Sequence, residues 1–228
     1  MQKLRIGIII STTREGRFAD KPTQWLLQHL AMFPQISAEV LDLRDYPMPF
    51  FDEQTSPAYA PPRCAEARAW AAKVAEMDGF IFVTAEYNRS VPSVLKNALD
   101  YAYHEFNRKP ATFLGYGGVG AARAIEQLRL ICVELQIAPL RNAVHIGMEQ
   151  YLAVASGDRR LEDFDFLDAS ATSMIRDLIW WTRALGQRVA SRWHRKKSLL
   201  SENARVLVMT DLASIPAGHW SSGMARRG

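Results

Sequence analysis

Cysteine is scarce in this chain: Cys64 and Cys132 are the only two, far apart and both in helical patterns. That excludes a disulfide framework and a cysteine-based metal cluster. His29, His104, His145, His194 and His219 lack ligand spacing, and His145 falls in a strand pattern that suits a satisfied core residue. No metal site is expected. Long apolar runs are missing too, since none approaches the roughly 20 residues that cross a bilayer. The run from Ile6 to Ile10 follows Lys3 and Arg5, as the core of a signal peptide would. It is too short for one and has no small-residue cleavage site, so a buried strand fits better. Neither G-x-x-x-x-G-K-S/T nor G-x-G-x-x-G follows that first strand, which argues against a P-loop and against a dinucleotide fold. A cytoplasmic, enzyme-sized domain remains, with no membrane partner and enough length for a substantial core.

The net charge of +4 invites a nucleic-acid reading, and its distribution argues against one. From Arg192 onward seven basic residues stand against Glu202 and Asp211, so this tail carries +5 and residues 1–191 carry −1. The body is nearly neutral and the basic character belongs to an appendage. The expected organisation is one domain over 1–195 and a poorly packed basic tail over 196–228.

What is present is alternation. Residues 4–10 (LRIGIII) read as a strand buried on both faces. A polar turn and a helix with Trp25, Leu26, Leu27 and Leu30 follow, then a strand at 38–43. The Pro-rich stretch from Tyr46 to Pro62 excludes regular structure and must be a long loop, ordered or flexible. Further strands are expected at 79–84, 111–115 and 140–146, with helices over 63–77, 92–103, 120–137 and 170–193. This order predicts an α/β fold: a doubly wound, five-stranded parallel sheet with helices on both faces. The order 2-1-3-4-5 suits five strands, and ligands then bind beyond the carboxyl ends of the strands. Three loops sit there, at 11–17, 85–92 and 115–121.

The first loop holds Ser11, Thr12, Thr13, Arg14, Gly16 and Arg17 just before a helix. Hydroxyls, guanidinium groups and free backbone N–H groups at a helix N-terminus make a phosphate site. A capped helix with solvated arginines would leave the same trace. The second loop, Ala85-Glu86-Tyr87-Asn88-Arg89-Ser90-Val91-Pro92, offers an aromatic face, an amide and a hydroxyl, which suit a planar ring with polar edges. An ordinary turn before a Pro-started helix is the plainer account. The third loop, Gly115-Tyr116-Gly117-Gly118-Val119-Gly120, lets backbone approach a ligand closely.

Together these loops resemble the NADPH-dependent FMN reductase family, a flavodoxin-like branch, over nearly all of residues 4–193. The family pattern GSTRxGR appears as Ser11-Thr12-Thr13-Arg14-Glu15-Gly16-Arg17, with Ser11 and Thr12 in place of Gly and Ser. PEYNxSxPxxLKNAxD runs from Ala85, which replaces Pro, to Asp100. SYGGxGGxRA appears with Gly115 and Ala121 replacing Ser and Gly. The segment DYPMPFFDE is similar to the family's loop after the second strand. The resemblance implies FMN as cofactor and NADPH as hydride donor, with a small flavin, quinone or azo acceptor. Thr12, Arg14 and Arg17 would hold the phosphate, Glu86, Tyr87, Asn88 and Ser90 the ring edge, with Gly117 and Gly118 beside it. Glu86 reads equally as a capping carboxylate, and flavin chemistry needs no catalytic acid or base, so none is assigned. A flavodoxin-type electron carrier is the alternative; such carriers are acidic, and Arg14 and Arg17 argue against that. The family commonly forms dimers or tetramers. The aromatics Tyr46, Phe50, Phe51, Tyr59, Trp180 and Trp181 suggest an interface using the last helix and the Pro-rich loop.

Overall fold

The computed structural model describes residues 2–186. The expected boundary at 195 and the tail over 196–228 lie outside the described residues. Among the described residues, five strands form one parallel sheet: β1 (Leu4–Ile10), β2 (Ile36–Asp42), β3 (Gly79–Ala85), β4 (Pro110–Tyr116) and β5 (Ala138–Ile146). Their order is β2-β1-β3-β4-β5, as expected. Residues of β3 and β4 are all buried, whereas the edge strands β2 and β5 mix buried and exposed positions. The continuous apolar runs are thus the strands covered on both faces.

Alternation along each strand divides the core into two layers. Ile6, Ile8 and Ile10, Ile81, Val83 and Ala85, and Leu114 and Tyr116 face one layer. There they pack on α1 (Asp20–Ala31), on Val154 of α5 (Met148–Ser156) and on a sixth helix, α6, described over 165–186. Ile9, Phe80, Phe82, Ala111 and Phe113 face the other layer, against α2 (Ala65–Ala75), α3 (Ser93–Asp100) and α4 (Ala122–Glu134). Each fully buried isoleucine or phenylalanine contributes about 1.5–3 kcal/mol of burial.

Two differences from the sequence reading, and the order of the Pro-rich loop, have physical reasons. α5 was not foreseen, because its nine residues bury only Val154 and leave no strong apolar period. α6 begins at 165, not 170, because Phe164, Leu167 and Ala171 already belong to the first layer. The Pro-rich loop is ordered by side-chain staples. Asn97 of α3 accepts from the Phe51 N–H at 2.9 Å and donates to the Pro49 carbonyl at 2.7 Å. Arg63 Nε meets Glu53 at 2.5 Å, and the Phe51 ring packs edge-on to Tyr101.

The aromatic residues proposed for an interface fall in two places. Trp180 and Trp181 are exposed on α6, in the first layer. Phe50 and Tyr59, 81% and 85% exposed, lie on the loop that packs on the second layer. Tyr46 and Phe51 are partly withdrawn, against Trp70 and Tyr101 respectively. These are two separate patches, not one.

Candidate functional site

The three loops meet at the carboxyl end of the sheet around a cleft of about 280 Å³. Arg14, Arg17, Glu86, Tyr87, Gly117 and Gly118 line it, six of the nine residues singled out from the sequence. Thr12 lies beneath it, 1% exposed. Asn88 and Ser90 line a different cavity of about 590 Å³ on the far side of the turn, shared with Tyr87, Ser93, Lys96 and Gln127.

The first loop is held by charge. All five N–H donors of Arg17 are taken: Nε and Nη2 by Asp20 at 2.9 and 2.6 Å, Nη1 and Nη2 by Asp42 at 2.8 and 2.5 Å, and Nη1 by the Thr12 carbonyl at 2.5 Å. Its side chain is 2% exposed, so the guanidinium is turned inward rather than toward a ligand. Burial would lower its pKa, but the hydrogen bonds to Asp42 and Asp20 outweigh this and raise it. Asp42 shows the converse: burial would raise it, yet Arg17 and Arg44 hold it at about 2. Ser11, which replaces the motif's glycine, turns its hydroxyl into the sheet and donates to the Val83 carbonyl at 2.8 Å. Arg14 is exposed at the cleft and, among the described residues, forms no salt bridge.

The second loop is held by backbone. Tyr87 and Ser90 exchange both N–H···O bonds, at 2.9 and 3.0 Å, and Asn88 and Arg89 between them have φ of 48° and 69°. Left-handed geometry at both central positions is the two-residue hairpin turn that Asn-Gly favours; Asn88 accepts it readily and Arg89 at a cost of about 1–2 kcal/mol. Glu86 crosses to the start of α4. Its carboxylate, 7% exposed, accepts from the Arg123 N–H at 3.2 Å and from Arg123 Nε at 2.5 Å. It satisfies an orphan donor at the start of α4, so the capping reading of Glu86 describes its contacts.

The third loop explains its own two departures from the motif. A Cβ on Gly115 would clash with the Gly120 carbonyl and come within 2.8 Å of both the Ala121 methyl and Ile125. Gly115 therefore makes the room that Ala121 fills: the residue that lost a side chain and the residue that gained one face each other. At Gly117 a Cβ would meet nothing within 4 Å, and at Gly118 only Met148 Cε at 3.9 Å. These two glycines present bare backbone to the cleft, a flat cradle that side chains would fill.

Sequence reasoning missed the aromatic side of the cleft. Phe18, Tyr116 and Tyr151 cluster there, with Phe18 4.4 Å from Tyr151 and 5.2 Å from Tyr116 between ring centroids. Tyr116 and Tyr151 are parallel within 4°. Burial pushes the Tyr116 phenol up to about 12, partly offset by its hydrogen bond with Thr12. Tyr116 stood in a quoted motif, but Met148 and Tyr151 come from the unforeseen α5, which carries no motif. Asp42, at the end of a strand, had no local signal at all.

The geometry joins an anion-ready loop, aromatic walls and a glycine cradle in one cleft. The family model for NADPH-dependent FMN reductase matches residues 4–150. The chain belongs to the NADPH-dependent FMN reductase family. Membership makes it a flavin-dependent oxidoreductase that works with FMN and NAD(P)H. An NAD(P)H-dependent FMN reductase of Schizosaccharomyces pombe is 33% identical over 150 residues, covering 64% of this chain and 75% of that protein. A 2-hydroxy-1,4-benzoquinone reductase of Burkholderia sp is 32% identical over 172 residues, covering 70% and 87%. Among solved structures, the flavoenzyme NAD(P)H:(acceptor) oxidoreductase of Paracoccus denitrificans has a TM-score of 0.52 at 20% identity, covering 76% of this chain and 98% of its own. That likeness bears on the fold alone. Tyr151 lies one position beyond the family match, and α6 lies wholly outside it.

Proposed function

We propose that the cleft seats FMN with its phosphate at the first loop and its ring between Tyr87 and the Gly117-Gly118 backbone, and that NAD(P)H and a small planar acceptor use the open side in turn. The acceptor class is a flavin, a quinone or an azo compound. The observation that carries this reading is the convergence of Arg14, Tyr87, Gly117 and Gly118 on one cleft. FMN, when bound, supplies the hydride-accepting and electron-passing chemistry.

The residues bind and orient. Arg14, exposed at the cleft, supplies a cation for a phosphate, joined by Thr12 and the loop's backbone N–H groups. Arg17 shapes that loop from inside, because its donors are spent on Asp20, Asp42 and Thr12. Tyr87 offers a face, while Asn88 and Ser90 form the turn that carries it. Glu86 fixes the turn against α4 through Arg123. Phe18, Tyr116 and Tyr151 exclude water from one side of the cleft, and no residue is assigned a catalytic proton.

Flavin bands in the absorption spectrum of the purified protein test the cofactor. Stopped-flow mixing with NADPH should bleach them and a quinone or azo dye restore them, with ping-pong kinetics, since one open side serves both substrates. A carrier would show no direct bleaching. Arg14→Ala should weaken FMN tenfold or more, about one charge-assisted contact, and leave riboflavin unchanged. We further propose a cytoplasmic homodimer or homotetramer. Free Cys64 and Cys132 support a reducing compartment, and the exposed Trp180-Trp181 and Phe50-Tyr59 patches support self-association. Light scattering at micromolar concentration tests the assembly; a monomer mass rejects it.

A further inference from the structure

We infer that Tyr116 is a positioning residue for phosphate recognition: its hydroxyl, bonded to Thr12, ties the phosphate loop to the glycine loop across the sheet. The inference rests on the FMN reading above. Thr12 follows β1 and Tyr116 ends β4, and β3 lies between those strands. Thr12 Oγ1 and the Tyr116 hydroxyl are 3.2 Å apart, and both residues are buried. It is a side-chain hydrogen bond running directly from the first loop to the third.

Thr12 is gripped from two sides. Arg17 Nη1 donates to its carbonyl, and Tyr116 takes its hydroxyl. The rotor of a threonine hydroxyl is otherwise free, so these contacts fix both the backbone and the side chain of one residue. The hydroxyl pair also has one donor to spare. Two hydroxyls bonded to each other spend one hydrogen between them and keep one. The remaining hydrogen is available to an acceptor. A phenol is neutral at physiological pH and burial pushes this one further up, so the pair carries no charge that would repel phosphate.

The ring of Tyr116 has a separate job. It packs on Phe18 and lies parallel to Tyr151, contacts that need no hydroxyl. Tyr116→Phe therefore isolates the phenol oxygen: packing stays and the bond to Thr12 goes. A purely structural role would change affinity for FMN and riboflavin alike. A role through Thr12 changes only the affinity that depends on phosphate.

The test is titration of flavin-free protein with FMN and with riboflavin, followed by quenching of flavin fluorescence. Tyr116→Phe should weaken FMN about fivefold to tenfold, the worth of one hydrogen bond, and leave riboflavin within about twofold. Thr12→Val should show the same selectivity, and adding Tyr116→Phe to it should cost nothing more, because one acts through the other. Equal weakening of both flavins, no weakening of FMN, or additive losses in the double variant would each overturn the inference. A wild-type protein without preference for FMN over riboflavin overturns the phosphate reading and this inference with it. A wild-type preference that survives intact in Tyr116→Phe overturns this inference alone.

Discussion

The wall of the cleft after β1 and the walls after β3 and β4 reach similar order by opposite means. The first is held by charge: one buried guanidinium spends five donors on two carboxylates and a carbonyl. The others are held by backbone shape: two left-handed residues close the turn at 87–90, and Gly115 admits the Ala121 methyl. The difference follows from what each wall must present. On the proposed reading, the first loop must expose N–H groups to a phosphate, so its own brace has to come from side chains beneath it. On the same reading the other walls must be flat to take a ring, so their order comes from the chain path itself.

The hardest break in the comparison is Arg17→Ala. It leaves Asp42, 16% exposed, beside an empty space that held its partner. Asp42 keeps Arg44 as its remaining partner, so the loss should be about 2–3 kcal/mol, just below that of a buried charge left wholly unpaired. Urea unfolding should show that loss, and Arg17→Met with Asp42→Asn should recover most of it. A loss below about 1 kcal/mol would mean that charge is not what holds the first wall.

Gly115→Ser attacks the other side of the comparison. Overpacking against Gly120 and Ala121 should cost about 1–3 kcal/mol. Ala121→Gly in the same chain should return only part of that, because the methyl is then gone while the Gly120 carbonyl and Ile125 still crowd the new side chain. Additive effects in the double variant would refute the compensated pair.

Acid separates the two walls directly. Asp42 is held at about 2, against an ordinary 3.8. Its folded value is depressed, so its stabilisation is complete above pH ~4 and is lost as pH falls through 2. The amount is about 2 kcal/mol. Unfolding curves taken between pH 5 and 2 should lose that slope in Asp42→Asn, while the turn at 87–90, which contains no partner of Asp42, should not shift between variants.

The smallest expected effect is a gain. Arg89→Gly removes left-handed strain at φ 69° and should stabilise by about 1 kcal/mol in thermal unfolding. A loss instead would mean that the Arg89 side chain supports the turn in a way its backbone does not reveal.

The sequence by itself determined the architecture and the location of the cleft. Apolar runs such as LRIGIII and GFIFVT can only be strands covered on both faces, and the alternation with helices leaves one parallel sheet with its loops at one end. The motif residues Arg14, Tyr87, Gly117 and Gly118 could be placed at that end because their chain neighbours fix where they must be. Only the tertiary structure decided what each of them faces. Arg14 and Arg17 are three residues apart and chemically alike, yet one is exposed at the cleft and the other is spent on Asp20 and Asp42. That outcome depends on a carboxylate 25 positions away at the end of another strand. Tyr151 and the Tyr116–Thr12 bond are of the same kind, 104 positions separating the bonded pair. Local pattern carries the period of an element and the path of a turn; it carries nothing about a partner that only the folded chain brings within hydrogen-bond reach.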